Sequence, residues 1–332
     1  MRIVSFQRLD STNVLPRLGL LHGDEGQVVD VQAMDGSQEA FTSLRALMAA
    51  GDRGLDLVRQ IVARATASGD LLAHSQVRLL CPLGRPTLIR DFATMDSHMR
   101  NYLLLRATER GRGNPDPQAH LEAERRAGRL DLPANWLSVY QHHIGNPMNV
   151  IGHDDVLTRP EGVLELDYEL ELAAVIGSPS CDVTLANASS HIFGYTLMND
   201  FTARDIQRAE AKAAGKSKDF NGSYSIGPCI ATRDEVDLSQ MRLRSRLNGE
   251  IQAEDRASSM QISFEELLVY ISRSCTIHPG EVLASGTFAR GCGYEIGRLL
   301  ADNDVIELEA DGIGVLRNLV RAAPQHHEVN PQ

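Results

Sequence analysis

The sequence predicts an α+β fold that is mainly β, and three observations predict it. From about residue 85 to about residue 322 the chain is built from short apolar runs with polar ends, such as LELDYELELAAVIG at 164–177 and HIFGYTLM at 191–198. Side chains alternate across a strand with period two, so these runs read as strands. VIELEADGIGVLRNLV at 305–320 has two such halves about an Asp-Gly pair and reads as a terminal hairpin. The first 80 residues differ in texture, with short strands followed by helical periodicity.

Residues 1–80 therefore form a small N-terminal α+β domain, with strands at RIVSF (2–6) and QVVDV (27–31) and then two helices. The second helix carries Val58, Ile61, Val62 and Ala65 at i, i+3, i+4 and i+7, and Gly69-Asp70 ends it. A larger domain spans 85–322. Within it, residues 107–132 form a highly charged insert with Pro115 and Pro117 and a helix-like QAHLEAERRA whose apolar face is weak. The insert reads as a lid, a dimer contact or a disordered surface insertion. A helix begins at Ser263, where Ser263 and Glu266 make a capping box ahead of Phe264, Leu267, Leu268 and Ile271. The tail 323–332, including His326 and His327, reads as flexible.

A net charge of −11 argues against a surface that tracks nucleic-acid phosphates, so an anionic substrate would need locally placed cations. The five cysteines are scattered and form no C-x-x-C pair, which disfavours a disulfide framework or a zinc site and suits a reducing cytoplasm. No run reaches the roughly 18 apolar residues of a membrane span. A soluble, cytoplasmic protein is expected, without nucleic-acid or membrane partners.

Four segments could carry chemistry. In LELDYELEL one strand face would hold Leu164, Leu166, Tyr168, Leu170 and Leu172, and the other Glu165, Asp167, Glu169 and Glu171. A solvated face is the plain reading, yet the run continues into apolar AAVIG, and Glu169 with Glu171 could serve a hard cation that takes oxygen ligands. In MNDFTARDIQ, Asp200 ends a strand and starts a helix on which Asp200, Arg204 and Gln207 share a face. That is either an N-cap with a surface salt bridge or a third carboxylate beside groups for an anionic substrate. DFATMDSHMRNY places His98 seven positions after Asp91. A lone histidine is usually structural, but its near-neutral pKa suits a general base. The Gly/Ser-rich GKSKDFNGSYSIGP and ASGTFARGCGYE present Lys216, Lys218 and Thr287, and neither is a P-loop.

Taken together, DF…H, PANWL at 133–137, YELEL, HIFGYTLMNDFTARDIQ, GKSKDF and LASGT resemble the fumarylacetoacetate hydrolase family over residues 86–320. The resemblance implies a rolled mixed β-sheet catalytic domain and a homodimer. It implies a divalent metal, Mg²⁺ or Mn²⁺, with Ca²⁺ as a further option, held by Glu169, Glu171 and Asp200, with Asp91 as an additional ligand. It implies His98 as the residue that activates water, Glu295 as its partner, and Lys218 as a charge that stabilises an enolate. Arg204, Gln207, Thr287 and His143 fall on substrate-contacting positions, His143 replacing a tyrosine of the family pattern. The activity implied is hydrolysis of a carbon–carbon bond in a 1,3-dicarbonyl, acylpyruvate-like acid. A metal-dependent oxaloacetate-type decarboxylase, or an enol isomerase or hydratase, is the alternative; a silent binding protein is a further one.

Overall fold

The computed structural model describes residues 1–11, 15–23, 26–210 and 215–323. The tail from 324, with His326 and His327, lies outside the described residues. The fold is mixed α+β and mainly β. Among the described residues one sheet holds eleven strands, with Gln27–Asp30, Arg17–His22, Arg2–Arg8, Tyr224–Thr232, Ile192–Asp200, Leu170–Ile176, Glu281–Ala284, Leu88–Phe92 and His142–Gly145 in spatial order. Val77–Leu80 and Val150–Ile151 pair beside this path. A second sheet of five strands contains the expected terminal hairpin, Val305–Ala310 against Gly314–Arg321.

The sheet runs across residue 80 without a break, because Arg2 and Ile3 pair with Ala231 and Ile230. The strand Arg17–His22, which the sequence reading passed over, joins Arg2–Arg8 to Gln27–Asp30. Its Leu18 and Leu20 pack with Val58, Ile61 and Ala65 of the helix Leu44–Ser68. That helix kinks at Gly51 and ends on Gly69 in the left-handed region, where a residue without Cβ stops a helix at no steric cost.

Leu170–Ile176 lies near the middle of the sheet and is buried on both sides. Leu170, Leu172, Ala174 and Ile176 pack with Phe264, Leu267 and Leu268 of the helix Phe264–Ile271, which starts on the expected capping box. Ala173 and Val175 face the other core cluster, with Ile3, Val29 and Leu47. Glu169 and Glu171 stand on that second side, at the end of the strand where apolar packing gives way to a cavity.

Two local expectations are corrected. LELDYELEL is not one strand: Leu166–Asp167 pairs with Thr202–Ala203 in a separate two-stranded ladder, and the main strand starts only at Leu170. The Glu169 N–H donates to the Asn199 side chain at 2.9 Å instead of to a continuous ladder, and Leu164 is 79% exposed. Nor does Asp200 share a helix face with Arg204 and Gln207. It is the last residue of Ile192–Asp200, and the helix begins at Arg204. The Phe201 N–H bonds to the Ser223 carbonyl, and the ladder at Thr202–Ala203 keeps the backbone extended until then.

The insert folds as two helices. Asp96–Arg110 runs into it and Pro117–Arg126 follows, capped by Asp116, whose side chain accepts from the Ala119 N–H. The buried Glu124 carboxylate bonds to both Arg110 and Arg129, and His120 Nε2 contacts the Ala107 carbonyl at 3.0 Å. No helix among the described residues is long and apolar enough to cross a membrane.

Candidate functional site

A cavity of about 210 Å³ opens where the ends of these elements meet. Asp91, His98, His143, Glu169, Glu171, Arg204, Gln207, Lys218 and Thr287 line it. The two remaining expected residues stand directly behind: Asp200 against Lys218 and His143, and Glu295 against His98. Two roomier clefts, of about 390 and 630 Å³, bring together no buried carboxylate cluster of this kind.

Backbone register accounts for the convergence. Asp91 on Leu88–Phe92 lies opposite His143 on the neighbouring strand, and Asp200 opposite Tyr224. Residues directly opposed across antiparallel strands have Cβ atoms about 4.5–5.5 Å apart, so each pair is held together by the sheet itself. Thr287 reaches the cavity because Gly286 takes a left-handed conformation (φ +77°) against the Phe92 carbonyl, where an added Cβ would approach to 2.0 Å. Only glycine fits such an approach.

Three of the four acids of LELDYELEL do not lie on a solvated face. Asp167, Glu169 and Glu171 are 0–4% exposed. Arg204, itself buried, donates Nε to Asp167 at 2.8 Å, Nη2 to Glu169 at 2.7 Å and Nη1 to the Gln207 side-chain oxygen at 2.9 Å. The Lys218 ammonium bonds to Glu169 Oε2 at 2.7 Å and to Asp200. Burial alone would push Glu169 up, but Lys218 and then Arg204 outweigh it and hold this carboxyl below the usual range. Burial would likewise strip Lys218 of its proton, yet Asp200 and Glu169 raise its pKa instead.

Two cations do not serve every acid. Both Glu171 oxygens, Asp91 Oδ1 and Asp200 Oδ1 are buried without a hydrogen-bond partner among the described residues. Burial pushes Glu171 far up, reinforced by Asp91 and Asp200, and burial then Asp200 do the same to Asp91. An unpaired carboxylate in a dry site is costly, and orphaned polar atoms in a native fold call for an explanation. Ligand atoms of Glu169, Glu171 and Asp200 lie within 4.8 Å of one another. Oxygen donors of this kind, buried, unpartnered among the described residues and able to give up a proton as an ion binds, fit a divalent cation.

Across the cavity, His98 stands in the first turn of the helix Asp96–Arg110. Its Nδ1 bonds to Glu295 Oε2 at 2.8 Å, which leaves Nε2 without a protein partner among the described residues. Burial acts to raise Glu295, but the bond to His98 wins and holds its carboxyl below the ordinary value. Sequence reasoning missed what supports this pair. Asn101, one turn beyond His98, donates to Glu295 Oε1 at 2.8 Å, and the Cys292 thiol reaches Oε2 at 3.5 Å. The spacing His98-x-x-Asn101 was a usable signal, because residues three apart share a helix face. Asp167 and Glu165, unexplained by the metal expectation, also find roles. Asp167 accepts the Gly293 and Tyr294 N–H groups at 2.7 and 3.0 Å and so ties the start of the short helix Gly293–Ile296, which carries Glu295, onto Arg204, while Glu165 pairs with Arg208.

Comparison with known proteins agrees in fold and in pattern. Residues 116–321 match the fumarylacetoacetate (FAA) hydrolase C-terminal family. The chain is 28% identical over 318 residues to oxaloacetate tautomerase YisK of Bacillus subtilis, spanning 91% of this chain and 95% of that one. It is 27% identical over 324 residues to the mitochondrial oxaloacetate tautomerase fahd2 of Xenopus laevis, spanning 96% and 90%. Among solved structures, a fumarylacetoacetate hydrolase from psychrophilic Exiguobacterium antarcticum superposes with a TM-score of 0.72 at 26% identity, covering 97% of this chain and 100% of that one.

Proposed function

The chain belongs to the fumarylacetoacetate hydrolase family, and from that premise we propose that it is a metal-dependent enzyme acting on a small keto–enol dicarboxylate of the oxaloacetate type, shuttling a proton at the carbon between two carbonyl groups. The observation that carries this reading is the His98–Glu295 pair, which opens onto the same cavity as the unpartnered carboxylates. Glu169, Glu171, Asp200 and Asp91 would hold the cation. When bound there, a divalent ion supplies a Lewis acid that polarises a carbonyl oxygen.

The chain's own groups do the rest. His98 Nε2 takes the proton from the activated carbon and returns it to oxygen. Glu295 keeps the Nδ1 proton in place and stabilises the imidazolium that forms, and Asn101 fixes the Glu295 carboxylate. A positioned base of this kind is worth about 10²–10⁴-fold in rate. Lys218 and Arg204 set permanent positive charge beside the oxygen on which negative charge develops, and fixed charge in a dry site needs no reorganisation as the reaction proceeds. Gln207 and Thr287 offer neutral hydrogen-bonding groups for the substrate.

Two relatives that align along nearly their whole length are oxaloacetate tautomerases, which favours proton transfer. Hydrolysis of an acylpyruvate-like bond is the second reading. It is supported by the likeness to the Exiguobacterium hydrolase, since the same base could deprotonate water. The test follows enol and keto oxaloacetate by ultraviolet absorbance with Mg²⁺ or Mn²⁺, alongside product analysis on acylpyruvates. Accelerated keto–enol equilibration with no acid or CO₂ released is expected, and His98→Ala slows it by about 10²–10⁴-fold. Release of carboxylate and pyruvate without any tautomerase rate would transfer the assignment to the hydrolase.

A further inference from the structure

The geometry points to a nitrogen ligand in this centre: His143 binds the cation together with Asp91 and Asp200, which makes the site a mixed nitrogen–oxygen one that favours a transition-metal ion over Mg²⁺. This inference rests on the metal centre proposed above and adds a ligand from outside the carboxylate set.

Three observations carry it. First, the sheet register places His143 directly opposite Asp91, so their proximity is fixed by backbone hydrogen bonds rather than by a mobile loop. Second, His143 Nε2 lies 3.6 Å from Asp91 Oδ2 and 3.6 Å from Asp200 Oδ2. These separations are too long for good hydrogen bonds. They are short enough for one ion, because two donors each about 2.0–2.2 Å from a metal are at most about 4.4 Å apart. Ligand atoms of all three residues fall within 4.8 Å of one another. Third, although Asp200 Oδ2 also meets the Lys218 ammonium, the remaining oxygens of the two acids, Asp91 Oδ1 and Asp200 Oδ1, have no partner among the described residues, and the residues are 4% and 0% exposed. The only hydrogen-bond contact of Nε2 among the described residues is the Tyr224 hydroxyl, at 3.3 Å.

Donor chemistry then sets the preference. Carboxylates and water suit Mg²⁺, Ca²⁺ and Mn²⁺, whereas an imidazole shifts a site toward Fe²⁺, Co²⁺, Ni²⁺ and Zn²⁺. The full-length protein loaded with Mn²⁺ offers a direct readout by electron spin-echo envelope modulation, which detects nitrogen bonded to the ion. Wild type grown with ¹⁵N-histidine should exchange a ¹⁴N modulation for a ¹⁵N one. The signal should persist in His98→Gln and disappear in His143→Gln. In competition titrations, His143→Gln should lower Co²⁺ affinity by at least about tenfold and alter Mg²⁺ affinity far less. Mn²⁺ bound to wild type without histidine coupling overturns this inference alone, as does coupling that vanishes in His98→Gln instead. No Mn²⁺ binding at all overturns the carboxylate centre and His143's part in it.

Discussion

Glu124 in the insert and Glu171 in the cavity are almost equally hidden, at 4% and 0% exposure, yet the fold treats them in opposite ways. Both oxygens of Glu124 are taken, one by Arg110 and one by Arg129. The Arg129 bond first, and Arg110 next, draw this carboxyl down to about 2. Neither oxygen of Glu171 is taken, and burial with the charges of Asp91 and Asp200 pushes it up. The contrast separates acids that the chain completes by itself from acids that something outside the chain must complete. A buried charge retained without a partner works against stability, and such trade-offs concentrate at functional sites. Asp167, behind the cavity, shares its hydrogen bonding with Glu124, since Arg204 and two backbone N–H groups satisfy it, although burial outweighs Arg204 and leaves its carboxyl above the ordinary value.

The sharpest way to break this comparison is to neutralise one acid of each kind. Asp167→Asn breaks a buried pair and leaves Arg204 short of a partner, a change that typically costs about 3–5 kcal/mol. The metal-free variant should unfold at clearly lower denaturant than wild type. Activity should drop as well, because the short helix carrying Glu295 loses its anchor. Unchanged denaturation would mean that Asp167 does not hold this wall.

Glu171→Gln should do the reverse to stability. It removes a carboxyl that is ionised in the unfolded chain at neutral pH but that burial, Asp91 and Asp200 force toward the protonated form in the fold, so the metal-free variant should be more stable at neutral pH by roughly 1 kcal/mol or more. Mn²⁺ affinity and turnover should both fall by at least about 100-fold. Calorimetry with Mn²⁺ and thermal melts with and without the ion check the two halves. A metal-free melt shifted downward would place Glu171 with the self-sufficient acids.

The parts of this arrangement that were legible in the sequence are those encoded locally. The shared side of Glu169 and Glu171 at the start of Leu170–Ile176, the Ser263–Glu266 capping box and the hairpin about Asp311-Gly312 are short-range patterns, and each sits where its period or spacing says. What was not legible depends on distant partners. The strand run breaks before Leu170 because Asn199, thirty positions away, takes the Glu169 N–H. The helix starts at Arg204 rather than Asp200 because Leu166–Asp167 holds Thr202–Ala203 extended. Arg17–His22 lacks a polar alternation, since its burial comes from the helix Leu44–Ser68 on one side and neighbouring strands on the other. His98 and Asn101 share a helix face locally, but the Glu295 that they both hold lies 194 positions from Asn101.

The smallest expected effect concerns Glu124, and it also tests whether the insert moves. The helix that presents His98 continues without interruption to Arg110, and Glu124 clamps the second helix to that residue and to Arg129. We propose that this clamped hairpin, residues 107–132, acts as a lid that tightens over bound substrate and keeps water from the reacting carbon. A carboxyl whose folded pKa is lowered from 4.5 to about 2 contributes stability that is fully present above 4.5 and is lost as pH falls toward 2. Amide hydrogen exchange over Pro117–Arg129, corrected for intrinsic rates, should therefore show easier opening at about pH 3 than at about pH 6 in wild type. In Glu124→Gln the hairpin should open easily at both. At neutral pH the same variant should be cut faster by trypsin at Arg125, Arg126 and Arg129. If the hairpin closes over substrate, Mn²⁺ with oxalate, a mimic of the enolate, should slow cutting in wild type. Equal cleavage with and without saturating oxalate would make the hairpin a fixed part of the fold, held by Glu124 for structure alone.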